Sequence, residues 1–119
     1  MLSIEEILAA EDVETREVRT PEWKGSVHVR TLTAAEQLVM FEQTTSVDQG
    51  TGSEADKRSA KLAIFLAAFL CDGQGKPLAT REQAQQLVNK SARAVQRIVK
   101  AGHKLNQSGE ADLDDIAKN

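Results

Sequence analysis

One cysteine, one tryptophan, three phenylalanines and no tyrosine are the scarcities that first limit this 119-residue chain. The lone thiol, Cys71, cannot close an internal disulfide. That excludes a disulfide-stapled secreted scaffold, excludes a cysteine-rich zinc site, and fits a reducing compartment. With aromatic residues at 3%, the core must be built from aliphatic side chains and alanine. No apolar run approaches the ~20 residues that span a bilayer. The opening MLSIEEILAAEDVE is acidic where a secretory signal would be basic, so no signal peptide is expected.

Catalytic and ligand-holding motifs are equally sparse. His28 and His103 lie on different segments, and Cys71 ends an apolar run, where cysteine usually serves as a small core hydrophobe. Gly50-Thr51-Gly52-Ser53 has neither the preceding apolar strand nor the following Gly-Lys of a phosphate loop. Asp72 to Leu78 lacks the alternating oxygen ligands and terminal glutamate of a calcium loop. No carboxylate falls inside an apolar stripe, where burial would raise it for acid–base work. The sequence therefore predicts a protein that is not an enzyme and needs neither metal nor cofactor.

What is present is an ordinary globular balance, 40% hydrophobic and 28% charged, enough for one domain with a modest core. The net charge of −3 conceals a segregation. Residues 1–22 carry seven acids against Arg16 and Arg19, whereas residues 83–109 carry five bases and no acid. Residues 110–119 return to acidity. Such asymmetry says more about partners than the total does.

The organising stretch is Thr20–Phe41, TPEWKGSVHVRTLTAAEQLVMF. Val27, Val29 and Thr31 alternate with Ser26, His28 and Arg30, the period of a half-buried strand. Trp23 shares the parity of the two valines and is expected to fold onto their face. Pro21 closes a preceding strand within 13–20, and residues 22–25 connect the two as an antiparallel hairpin. Thr33 lies three residues before Glu36, a capping box that starts a helix immediately after the strand.

Around this unit the sequence reads as helix. Ser3 with Glu6 caps a short helix ending near Ala10. The helix from Ala34 to about Thr45 is expected to turn Leu38, Phe41 and Val39 to the core, followed by a polar loop over 46–52. Ser53 starts the next helix, which ends LAIFLAAFLC, apolar on nearly every side and hence central. Asp72 to Pro77 reads as a tight turn, Thr80 with Gln83 caps a short helix through Val88, and Ser91 caps a last helix to about Leu105. The fold class expected is α+β, predominantly helical, with a small antiparallel β-hairpin packed against four to five helices.

Lys90, Arg93, Arg97, Lys100 and Lys104 recur every three or four residues, which at helical spacing places them on one face opposite Val95, Ile98, Val99 and Leu105. A solvated face would look the same. Read functionally, it is a strip for an acidic partner or for an acidic segment of the same chain. A small regulator binding nucleic acid through Lys90–Lys104 is the alternative, and a weaker one, because the net charge is negative and no aromatic accompanies the stripe. Trp23 is either a staple on the hairpin or, if exposed, an interface anchor.

The run PEWKGSVHVRTLTAAEQLVMFE resembles the PEWGG-V-VR-LT-AER segment of tail assembly chaperones from long-tailed bacteriophages of the lambda and HK97 type. LSIEEILAAEDVETREV before it, and LAIFLAAFLCDGQGKPL and LVNKSARAVQRIVKAGHKLN after it, keep the family's order over nearly the whole chain. Lys24 stands where a second glycine is common, and Gln37 where arginine is common. The resemblance implies a single domain over 1–105 with a flexible acidic tail over 106–119. It further implies a non-enzymatic protein of the host bacterial cytoplasm, absent from the finished tail, that holds the tape measure protein soluble. Its implied partners are that protein, the tail tube protein (directly or through a frameshifted longer form) and further copies of itself. Neither a membrane nor a nucleic acid is among them.

Overall fold

A computed structural model describes the backbone of residues 1–118 and the side chains of residues 1–107. Its elements are α1 (Ile4–Ala9), β1 (Thr15–Thr20), a 3-10 turn (Pro21–Trp23), β2 (Gly25–Arg30), α2 (Ala34–Gln49), α3 (Glu54–Phe69), β3 (Leu70–Cys71), α4 (Arg81–Leu87) and α5 (Ala92–Lys118). This is the predominantly helical α+β fold that the sequence predicts. The last helix, expected to end near Leu105, instead continues to Lys118 through the segment read as a tail, and the side chains of 108–119 lie outside the described residues.

The helices start at the caps read from the sequence. Ser3, Thr33 and Thr80 each accept from the amide three residues on, while the side chains of Glu6, Glu36 and Gln83 accept from the cap amides. Ser53 accepts from the Asp56 amide at 3.1 Å and Ser91 from the Ala94 amide at 3.4 Å. Free amide donors at a helix start are costly to leave unmade, so each cap sets its boundary locally.

β1 and β2 pair antiparallel in the register Thr20↔Gly25 to Thr15↔Arg30. The Thr20 hydroxyl donates to the Gly25 carbonyl across the turn at 2.9 Å. Val18, Val29 and Leu70 are buried on the inner face, and Trp23 is half-buried against the same core. Lys24 ends the 3-10 turn in the left-handed region, φ 58°, where the family that the segment resembles commonly has glycine. Only a residue without Cβ takes that conformation freely.

A third strand was not foreseen. The sequence reading carries the central helix through Cys71, but α3 ends at Phe69, and Leu70 and Cys71 pair antiparallel with Val29 and His28. The sheet order is β1-β2-β3. The following turn is closed by Gly75 at φ 84° and by the Asp72 carboxylate, which accepts from the amides of Gln74 and Lys76. An unbroken apolar run cannot show where a buried helix becomes a buried strand.

α2 differs more. It runs to Gln49 rather than stopping near Thr45, so most of the expected loop over 46–52 is helical. Two lysines one turn apart on α3 fasten its end: Lys57 donates to the Asp48 carbonyl at 3.1 Å and Lys61 pairs with the Asp48 carboxylate at 2.9 Å. Cations at a helix C-terminus also suit its dipole. The rotation of α2 is corrected too. Leu38, Val39 and Phe41 are 64%, 51% and 68% exposed, and the half-buried face is Glu36, Met40, Thr44 and Val47.

That rotation follows from Arg30. Expected on the polar face of β2, it is 7% exposed, its guanidinium joined to both oxygens of Glu36 at 3.0 and 2.8 Å. Its Nε is buried without an acceptor among the described residues. A buried guanidinium is tolerable only when paired. The Glu36 carboxylate, which also accepts from the Thr33 amide, must therefore point inward and turns α2 with it.

α5 crosses α3 at Gly102, where an added Cβ would overlap the Phe69 ring and Cβ. One turn on, the Asn106 amide group accepts from the Leu32 amide at 2.8 Å and donates to the carbonyls of Arg30 and Gly102 at 3.0 and 2.8 Å. α5 is thereby tied to the junction of β2 and α2.

Replacing Gly102 with Ala should lower unfolding stability by about 1–3 kcal/mol through overpacking, read as an earlier midpoint in urea. An unchanged midpoint would mean that the crossing has slack. Lys24→Gly should raise stability by about 1 kcal/mol by relieving the left-handed backbone, and no gain would show that the 3-10 turn relaxes in solution.

Candidate partner-binding surface

The structure separates the residues that the sequence grouped in one stripe. Lys90 is not on α5 but in the turn before it, its amide bonded to the Leu87 carbonyl. Arg93, Lys100 and Lys104 are exposed along α5 and make no ion pair among the described residues. Arg97 is engaged: its guanidinium binds both oxygens of Glu22 at 2.8 and 3.0 Å and donates to the Arg19 carbonyl at 3.1 Å. The acidic segment of the same chain thus takes one member of the stripe. The Arg97 hydrogen bonds, with the charge of Arg93 adding to them, hold the Glu22 carboxyl down at about 2. Trp23, next in sequence, rests on the core as a staple of the hairpin.

Apolar surface lies elsewhere. α2 packs on α3, and two grooves are lined by residues of both helices. On one flank Leu38 and Phe41 of α2 face Phe69 and His103 across a groove of about 350 Å³. His103 stands edge-on to Phe65 and Phe69, ring centroids 4.5 and 5.1 Å away, and its burial lowers its pKa below the ordinary 6.5. On the other flank Val39 and Met40 overhang Ala67 and Ala68 of α3, with Arg30, Glu36 and Arg81 at the margin, around a groove of about 330 Å³. α1 buries none of its residues, and Ile4, Ile7 and Leu8 stand 61%, 51% and 78% exposed.

Sequence reasoning points to a groove beside the core helix but does not place it at these residues, because it assigned Leu38, Val39 and Phe41 to the core. The only available hint was their spread around α2, which leaves too narrow an apolar stripe to bury all three. The Cys71 thiol is buried, and desolvation pushes it up, away from the reactive thiolate. Among the described residues no group of three or more His, Cys, Asp or Glu side chains is placed to hold a metal ion. No described helix is long and apolar enough to cross a membrane. The described surface offers two grooves with apolar residues in their lining and a row of exposed cations.

No protein-family model matches the chain, and no curated protein matches its sequence. A solved structure does. The tail assembly chaperone of bacteriophage HK97 is similar over 86% of this chain and 95% of its own, with a TM-score of 0.60 and 19% sequence identity. The chain therefore has the fold of a phage tail assembly chaperone.

Several groups give the fold a signed pH dependence, the lowered carboxyls of Glu22, Glu36 and Asp72 and the lowered imidazole of His103 among them. The lowered pKa of Glu22 stabilises the native state above about 4.5, and that contribution disappears as pH falls towards about 2. His103 resists protonation in the native state but not in the unfolded chain, so stability also falls as pH drops below 6.5. The melting temperature should decline between about pH 7 and 5, and His103→Leu should flatten that decline. An equally steep decline in the variant would assign it to another group.

Proposed function

We propose that this chain is a phage tail assembly chaperone. In this reading it is a non-enzymatic protein that binds the tape measure protein in the host bacterial cytoplasm and keeps it soluble. It helps bring tail tube protein to the tape measure, directly or through a longer frameshifted form, and leaves before the tail is finished. The observation that carries the reading is the fold likeness to the HK97 chaperone, nearly end to end in both chains. The resemblance of PEWKGSVHVRTLTAAEQLVMF to the same family supports it.

The physics of the surface is consistent with that work. A long helical client whose apolar face has not yet been enclosed by the tube needs cover that binds weakly and in many places. Small apolar grooves supply contact without the area of a permanent interface. The exposed cations Lys90, Arg93, Lys100 and Lys104 add attraction that steers encounter and weakens with salt. Several copies along one tape measure protein would hold collectively what each holds loosely.

The test is co-expression with a phage tape measure protein. The wild-type chain should move the client from pellet to supernatant. R93E/K100E/K104E, which spares Arg97 and its pairing with Glu22, should lower the soluble share several-fold. A client equally insoluble with and without the chain would refute the reading, and full rescue by the triple variant would leave the stripe a solvated face. Retention of duplex DNA at low salt, lost steeply as salt rises, would favour the nucleic-acid regulator instead.

A further inference from the structure

We infer that the groove between α2 and α3 beside Ala67, Ala68 and Val39 is the client-docking site, and that it takes one amphipathic helix whose apolar face is flanked by carboxylates. The inference rests on the chaperone reading and says where and by what chemistry the client is held.

The sequence of α3 demands more cover than the chain provides. From Leu62 to Phe69 it is apolar all round, the pattern of a helix enclosed on every side, yet Ala67 and Ala68 are only half-buried. Val39, 51% exposed, overhangs them from α2. An alanine floor lets another backbone come close, as small residues do wherever helices pack tightly.

The occupant's form follows from the walls. They come mostly from α2 and α3, helices whose amides and carbonyls are satisfied internally, so an extended segment laid there would bury its backbone groups without partners. A helix carries its own hydrogen bonds and gains from side-chain burial alone. Its charge follows from the margin. Glu36 is the one carboxylate there, and the Arg30 guanidinium holds it ionised and occupied. Arg81, in the first turn of α4, is exposed and has no ion-pair partner among the described residues. The unbalanced charge at the groove mouth is therefore positive, and the complementary helix carries acid beside its apolar face.

A second copy could offer α1, which has the right chemistry with Ile4, Ile7 and Leu8 beside Glu5 and Glu6. It is the poorer occupant. Its six residues span only about 9 Å, against about 24 Å for the sixteen of α3, and three aliphatic side chains bury far less than a stable interface needs.

The test uses the full chain and two fluorescent peptides. Both are amphipathic helices of about 18 residues with the same Leu/Ala face, one flanked by glutamates and one by lysines. The acidic peptide should bind the wild type at least about tenfold more tightly than the basic one. Val39→Glu lies at an exposed position and should fold normally, yet it should weaken the acidic peptide by about tenfold or more. Arg81→Glu, also exposed, should reverse the preference between peptides. Phe41→Glu, on the opposite flank of α2, should change neither.

Equal binding of the two peptides, loss of binding in Phe41→Glu but not Val39→Glu, or no binding at all would overturn the assignment. So would concentration-dependent self-association of the wild type that Val39→Glu abolishes, since the occupant would then be another copy. Co-expression separates the two levels. If wild type and Val39→Glu rescue the tape measure protein equally, the groove is wrong and the chaperone reading stands. If the peptides behave as stated while no client is rescued, the groove stands and the chaperone reading falls.

Discussion

The paired Arg30 and Glu36 side chains set the geometry on which the other elements depend. A guanidinium inside a small, nearly aromatic-free domain would be costly alone. Bound to both oxygens of Glu36 it becomes a hinge pin between the last residue of β2 and the first turn of α2. The same carboxylate accepts from the Thr33 amide, so one side chain ends the strand connection, starts the helix and fixes its rotation. Asn106 then ties α5 to the same corner through Leu32 and Arg30. Three elements meet at a few polar groups, and the apolar layers on either side are oriented by them.

The parts of the fold set by local rules were legible in the sequence. Ser3, Thr33, Ser53, Thr80 and Ser91 announced helix starts, because an amide without an acceptor is satisfied within three residues or not at all. The alternation at Val27 and Val29 announced the inner face of β2. Illegible parts were those decided at long range. Leu70 and Cys71 become a strand only because β2 lies beside them, and their apolar character is the same in either state. The end of α2 depends on Lys57 and Lys61, which follow it in sequence and reach back to Asp48. Arg30 looked solvent-facing because nothing near it showed that Glu36 would come to meet it. The basic stripe was read correctly as spacing but not as availability, since Lys90 precedes the helix and Arg97 is bound to Glu22.

These misreadings bear on function. A sequence reading that buries every large apolar residue of α2 leaves that helix no apolar surface to present. In the structure the frame is held by polar contacts, while Val39, Leu38 and Phe41 stay outside. Rigidity and stickiness are thus assigned to different atoms. The exposed face of α2 therefore presents aliphatic surface without loosening the corner that positions it.

The outer edge of β1 has no strand beside it among the described residues. Arg97 reaches across from α5 to occupy the Arg19 carbonyl, and Arg16, Glu17 and Arg19 line the edge with charge. Open strand edges recruit other chains into growing sheets, and interrupted, charged ones do not. By pairing one cation with its own backbone, this chain closes part of an edge along which other chains could add.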